Sequence, residues 1–131
     1  MAGILTSWSG WLGSWLPVVL WAALIYVLSS IPGLKTNLGI LDLILRKLAH
    51  ISEFAILTGL THRALWRTWP ASNWKRQMIG AAAFALVYAI SDEIHQSFVP
   101  SRGPSVVDVM IDAVGIMGWL IIYYEKKYSS N

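Results

Sequence analysis

Four apolar stretches dominate this 131-residue chain, and short polar segments separate them. A helix needs about 20 apolar residues to cross the hydrocarbon core of a bilayer, and residues 1–34 carry no charged side chain. The sequence predicts transmembrane helices over about residues 11–31, 48–65, 78–94 and 106–124. Residues 1–131 would thus form a single all-α domain, a polytopic membrane protein built as a four-transmembrane-helix bundle. The composition, 56% hydrophobic and 13% charged, is that of an integral membrane protein.

The basic residues are divided unevenly between the two sides of such a bundle. Six lie on the side of both termini and the second loop, namely Arg63, Arg67, Lys75, Arg76, Lys126 and Lys127. Four lie on the other side: Lys35, Arg46, Lys47 and Arg102. The positive-inside rule then places both termini on the cytoplasmic side of the cell membrane. No dense Lys/Arg run of the kind that binds nucleic acid is present, so we expect no nucleic-acid partner.

Tryptophan and tyrosine residues cluster near the predicted cytoplasmic ends of the helices. They are Trp66, Trp69, Trp74, Tyr123, Tyr124 and Tyr128, with Trp8, Trp11 and Trp15 near the start of the first helix. Such residues are enriched where the membrane meets water, because their rings are apolar and their edges are polar. We expect them to form an interfacial belt.

Five of the seven acidic residues lie in or beside the apolar stretches: Glu53, Asp92, Glu93, Asp108 and Asp112. An ionised side chain at the centre of a bilayer costs at least about 2.5 kcal/mol, so it persists where it faces a bundle interior, a partner or water. Successive helices run in opposite directions, which brings all five acids to the same, extracytoplasmic level. The same level receives Lys47, His50, His95, Gln96 and Arg102. The sequence therefore predicts a polar site there.

Helical spacing places the polar groups of each helix on one face. Residues three or four positions apart are neighbours on a helix surface. The neighbours here are His50 with Glu53, Asp92 with His95 and Gln96, and Asp108 with Asp112. Gly115 and Gly118 follow on the fourth helix, and we expect their missing side chains to let another helix approach closely.

The charges of the predicted site do not balance. The five acids sum to minus five and Arg46, Lys47 and Arg102 sum to plus three, which leaves two negative charges in excess. Protonation of a carboxyl or imidazole group would compensate, and so would a bound divalent cation. The candidate metal ligands are His50, Glu53, Asp92 and His95, because imidazole and carboxylate together suit zinc, manganese or iron. HxxE is a much weaker metal signature than HExxH, so protonation and metal binding both stay open.

Each candidate also has a purely structural interpretation. His50 would be an interior histidine with a satisfied hydrogen bond, and Arg102 would be an interfacial anchor. Ser105 or Asp108 would cap the fourth helix. Glu93 would face headgroups or loop water. These structural interpretations explain poorly why all of these polar residues lie at one depth in the membrane.

Three segments of the chain carry a resemblance to a known family. K-L-A-H-I-S-E-F occupies residues 47–54, D-E-I-H-Q-S-F-V-P-S-R residues 92–102, and D-V-M-I-D-A-V-G residues 108–115. In this order, and over about residues 25–120, the chain resembles the VanZ-like membrane protein family. Asp112 stands where many members carry Asn. The resemblance implies an association with reduced susceptibility to teicoplanin-type glycopeptide antibiotics, and it brings no catalytic assignment.

Two classes of function fit a polar site on the outer side of a membrane. The first is a non-enzymatic factor that binds an envelope lipid, a lipid-linked envelope precursor or the glycopeptide antibiotic, with Lys47, Gln96, Arg102 and Asp112 as binding residues. The second is a small membrane-embedded hydrolase or transferase, metal-dependent or not, that acts on a lipid-linked substrate. Its candidate catalytic residues are His50, Glu53, Asp92, His95, Arg102 and Asp108. A proton-coupled transporter is a third class, and it would require a homo-oligomer to line a path.

Overall fold

The computed structural model describes residues 2–33 and 37–129, with side chains described from residue 10 onward. Its helices are α1, Ala2–Ser29; α2, Ile40–Thr68; α3, Trp74–Gln96; and α4, Val106–Ser129. No strand occurs in the part of the chain that is described, and the predicted all-α class is confirmed. Gly10–Ser29, Trp74–Gln96 and Val106–Ser129 are each long and apolar enough to cross a membrane. The protein is an all-helical membrane protein.

The second helix begins well before its predicted start at about residue 48. Gly39 precedes the first helical residue, Ile40, and has a φ of 59°, which suits glycine and interrupts a right-handed helix. Asp42 lies in the first turn of α2, where a carboxylate offsets the positive end of the helix dipole. It forms an ion pair with Arg46 one turn further along, at 3.0 Å. Arg46 and Lys47 therefore lie inside α2 and not in the segment before it.

The same helix is long, but its composition is less apolar than a membrane span usually requires, unlike the other three. Its 29 residues make a helix roughly 43 Å long at 1.5 Å per residue, against a hydrocarbon core of about 30 Å. The surplus length lets the first, charged turns of α2 extend beyond the apolar layer. Lys35, which the sequence groups with the basic residues of this side, lies outside the described residues.

Because the helices alternate in direction, α2 and α4 run parallel. Lys47 contacts Asp108 and His50 contacts Asp112, and the partners are 61 and 62 positions apart. α2 packs against all three other helices, whereas within the described residues α1 and α4 do not pack against each other. One side of the seam between α2 and α4 is therefore left without a third helix.

The two ends of the bundle differ in chemistry. The polar end, as we name it, contains the end of α1, the start of α2, the end of α3 and the start of α4; the opposite end is the aromatic end. Ring contacts at the aromatic end join Trp11 with Trp15, Trp15 with Trp69, and Trp74 with Tyr124 and Tyr128. These contacts form two groups of rings, and their position at the membrane surface stays a prediction. The side chain of Trp8 lies outside those that the structure describes.

Small residues allow α3 to approach its neighbours. Ala81, Ala85 and Ala89 recur every four residues and are all 0% exposed, so they form one stripe along the helix. Phe54 and Leu57 of α2 belong to the same buried cluster as Ala85 and Ala89. Large apolar side chains elsewhere on the helices point outward, as expected where the surroundings are lipid.

Helices α2 and α4 come closest at Gly115. A β-carbon there would lie 2.2 Å from the carbonyl oxygen of Ile51 and 3.1 Å from the backbone nitrogen of Ala55. The prediction that Gly115 permits a close helix approach is confirmed. The same prediction for Gly118 is wrong, because a β-carbon there would meet no described atom within 4 Å.

Candidate functional site

A polar cavity of about 200 Å³ lies at the polar end of the bundle. Its wall is formed by the connection after α1, the start of α2, the end of α3, residues 101–103 and the start of α4. The charged or titratable side chains of the wall are Arg46, Lys47, His50, Arg102 and Asp108, and Gln96 adds an amide. Three of these side chains are cationic and one is a carboxylate.

His50 of α2 and Asp112 of α4 form the innermost polar pair. Nδ1 of His50 lies 2.9 Å from Oδ1 of Asp112. With Asp112 ionised, its carboxylate accepts the hydrogen bond and the imidazole donates it from Nδ1. Asp112 is 0% exposed, and its Oδ2 has no partner among the described residues. The imidazole of His50 is therefore held in one orientation at the cavity wall by a fully buried acid.

The ion pairs of the wall leave one cation unpaired. Arg46 pairs with Asp42 within α2, and Lys47 pairs with Asp108 across the α2–α4 seam. Arg102 forms no ion pair within the part of the chain that is described, although Glu53 lies close enough to interact with its charge at longer range. Among the three cations of the wall, Arg102 is thus the one that remains available to a ligand.

Asp92 lies behind the cavity and not in its wall. Its Oδ1 is contacted by the hydroxyl of Ser29 from α1, and its Oδ2 accepts a hydrogen bond from Nε2 of Gln96 at 2.8 Å. Asp92 is 4% exposed, and both of its oxygens are engaged in protein contacts. It ties α3 to α1 and orients Gln96, which does line the cavity.

His95 and Glu53, two further candidates, also lie outside the cavity wall. His95 stacks on Tyr26 with ring centroids 4.3 Å apart, and its Nε2 lies 2.9 Å from the hydroxyl oxygen of Ser30. The side chain of Glu53 is half-buried between the charges of His50 and Arg102. Among the described residues, no group of three or more histidine or acidic side chains is arranged to hold a metal ion.

Glu93 has a role that the sequence interpretation missed. It was expected to face headgroups or loop water, but it is 4% exposed and its Oε2 accepts the backbone N–H of Ser105 at 2.8 Å. Ser105 in turn caps α4, since its hydroxyl accepts the N–H of Asp108 at 3.2 Å. Glu93 thus fixes the start of α4 and, with it, the position of Asp108 in the cavity wall.

Asp42 is the acidic residue of the polar end that the sequence interpretation left out. Its signal was its position four residues before Arg46, a spacing at which opposite charges pair on a helix. The apolar pattern predicts that α2 starts after both residues, so their pairing on a helix is not expected from it. Ser101, in the wall, has a φ of 63°, and no local sequence pattern predicts a left-handed serine.

Comparison with known proteins identifies the family. No curated protein and no solved structure matches the chain. The family model described as VanZ/LLP1 matches residues 11–126, a range that contains every residue of the cavity wall. The chain belongs to the VanZ/LLP1 family.

Proposed function

We propose that the polar cavity binds the phosphate headgroup of a cell-envelope lipid or lipid-linked precursor on the extracytoplasmic side of the membrane. The observation that carries this proposal is Arg102, a cation of the wall that forms no ion pair within the described part of the chain, whereas Arg46 and Lys47 are paired with Asp42 and Asp108. A guanidinium fork matches two phosphate oxygens, so Arg102 would be the principal contact. Gln96 would add a neutral donor.

The size of the cavity limits what can enter it. About 200 Å³ is less than the roughly 300–1,000 Å³ of pockets that enclose drug-sized ligands. A phosphate-bearing headgroup fits such a volume, whereas a whole glycopeptide antibiotic does not. The lipid tail would remain in the bilayer beside the bundle. Holding an envelope lipid in this way would alter its exposure to teicoplanin-type antibiotics, which is how we connect the cavity with the phenotype that the family resemblance implies.

Replacing Arg102 tests the proposal directly. We expect Arg102→Gln to weaken the binding of a short-chain polyprenyl phosphate by about tenfold to a hundredfold, because it removes a charge-assisted pair of hydrogen bonds. Calorimetry on the purified protein in mild detergent measures the dissociation constant. Arg76→Gln is the matched control, since Arg76 is exposed at the aromatic end. Equal losses in both variants, or no loss in Arg102→Gln, would contradict the proposal.

The His50–Asp112 pair favours a second candidate function, hydrolysis of a lipid diphosphate. A buried carboxylate that orients an imidazole is a general-base arrangement. His50 would take a proton from water, the water oxygen would bond to the terminal phosphorus, and the bond to the bridging oxygen would break, releasing inorganic phosphate and a lipid monophosphate. Release of phosphate from a polyprenyl diphosphate, measured with and without Mg²⁺ or Zn²⁺ and lost in His50→Gln, would favour the enzyme. Tight binding without release would favour the binding protein.

Orientation is part of the proposal. The six-to-four distribution of basic residues supports cytoplasmic termini and an outer cavity. The chain contains no cysteine, so Ser101→Cys introduces a single thiol at the cavity mouth. We expect a membrane-impermeant maleimide to label this thiol in intact cells. Labelling that appears only after the membrane is opened would place the cavity on the cytoplasmic side.

A further inference from the structure

A second cavity, of about 730 Å³, lies between α2 and α4 toward the aromatic end. We call it the α2–α4 groove, because residues of these two helices alone line it. The groove exists because α1 packs against α2 and α3 without reaching α4. It shares no lining residue with the polar cavity, so its ligand is independent of the function proposed above.

The wall of the α2–α4 groove changes along its length. Toward the middle of the bundle it is apolar, with Ile56 and Leu60 on α2 and Ile122 on α4. Toward the chain termini it is basic, with Arg63 on α2 and Lys126 on α4. No acidic side chain lines it among the described residues. The wall is therefore complementary to an amphipathic anion, with an apolar part for its tail and a basic part for its charged group.

Two residues of the groove lining carry a buried ring nitrogen without a hydrogen-bond partner within the described chain. His62 is 5% exposed, and neither its Nε2 nor Nε1 of Trp119 has a hydrogen-bond partner within the described chain. The Trp119 ring is held against α2, 3.1 Å from where a β-carbon of Gly59 would stand. A buried polar group without a hydrogen-bond partner is costly.

We propose that the α2–α4 groove binds one anionic diacyl phospholipid from the leaflet on the side of the aromatic end. An acyl chain lies along Ile56, Leu60 and Ile122, and the phosphate lies between Arg63 and Lys126. The ester oxygens then fall at the level of the tryptophan and tyrosine rings, which is the membrane–water interface. Charge complementarity selects this lipid over a zwitterionic one, whose headgroup brings no net negative charge to the two cations.

A second copy of the chain fits the groove less well. If two grooves met about a twofold axis, the Arg63 and Lys126 side chains of both copies would be brought together. Like charges facing each other across an interface disfavour the complex. The observations therefore favour a lipid over a partner chain.

Native mass spectrometry of the full-length protein tests the proposal. The protein is offered equal amounts of phosphatidylglycerol and phosphatidylcholine with the same acyl chains. Two cations that each contribute about fivefold give the wild-type protein a preference of about 25-fold for phosphatidylglycerol. We expect the double variant Arg63→Gln/Lys126→Gln to lose this preference. The double variant Arg67→Gln/Lys127→Gln should keep it, because it removes the same charges from the same two helices outside the groove lining.

A further variant separates the groove from the surface charge. Ile56→Trp fills the apolar part of the groove while both cations remain, and we expect it to retain much less phospholipid than the wild type. The proposal is overturned if the wild-type protein binds both lipids equally, if the control double variant loses the preference equally, or if Ile56→Trp binds as the wild type does. A lipid-free dimer would overturn it in favour of a second copy.

Discussion

Gly115→Ala is expected to destabilise the bundle by about 2–3 kcal/mol, toward the upper end of the usual cost of overpacking a tight interface. The added carbon would lie 2.2 Å from the carbonyl oxygen of Ile51. That neighbour is helix backbone, which cannot move aside as a flexible side chain does. The whole of α4 would have to shift away from α2, and the contacts above and below the crossing would lengthen. Thermal unfolding followed by circular dichroism in mild detergent measures the effect.

Gly118→Ala provides the matched control for this experiment. It is the same substitution on the same helix, at a position where a β-carbon meets no described atom within 4 Å. Alanine is favoured over glycine in a helix by up to about 1 kcal/mol, so this variant should be as stable as the wild type or slightly more stable. If both variants melt at the same temperature, the close approach at Gly115 is not what holds α2 and α4 together.

His50→Leu is expected to cost about 1–3 kcal/mol of stability, the usual cost of leaving a buried polar group without its hydrogen-bond partner. Asp112 is completely buried, and its other oxygen already lacks a partner among the described residues. Without the imidazole, the carboxylate would have neither a hydrogen bond nor water. The measurement is again thermal unfolding in detergent, with the yield of folded protein from the membrane as a second readout.

Two further variants identify the cause of that loss. Asp112→Asn keeps an acceptor oxygen for Nδ1 of His50 and removes the charge, so it should cost much less than His50→Leu. The double variant His50→Leu/Asp112→Leu removes both polar groups and should recover most of the lost stability. If His50→Leu proves as stable as Asp112→Asn, the pair does not stabilise the bundle, and its place at the cavity wall would be explained by function alone.

The sequence predicted that the polar groups converge at one end of the bundle. It did not predict which of them line the cavity and which contact other helices outside it. Helical spacing shows which face of its own helix a residue occupies. It does not show which neighbouring helix packs against that residue. His50 and His95 were therefore grouped as candidates for one metal site. In the structure His50 faces Asp112 of α4, whereas His95 packs against Tyr26 and Ser30 of α1.

The start of α2 was missed for a different physical reason. An apolar stretch ends where charged residues begin, so hydrophobicity alone predicts that the helix starts after Lys47. Asp42 and Arg46 form an ion pair inside the helix, which a hydrophobicity pattern does not register. The role of Glu93 was missed because its partner is a backbone N–H at Ser105, twelve residues away across a turn, and no side-chain pattern records such a bond.

The parallel pairing of α2 and α4 has a consequence for the order in which the chain can assemble. During synthesis α2 is made before α4, although the ion pairs that Lys47 and His50 form within the described residues are with acids of α4. α2 is also the helix whose own composition suits the bilayer least. We therefore expect α4, which is made about sixty residues later, to stabilise α2 in the membrane.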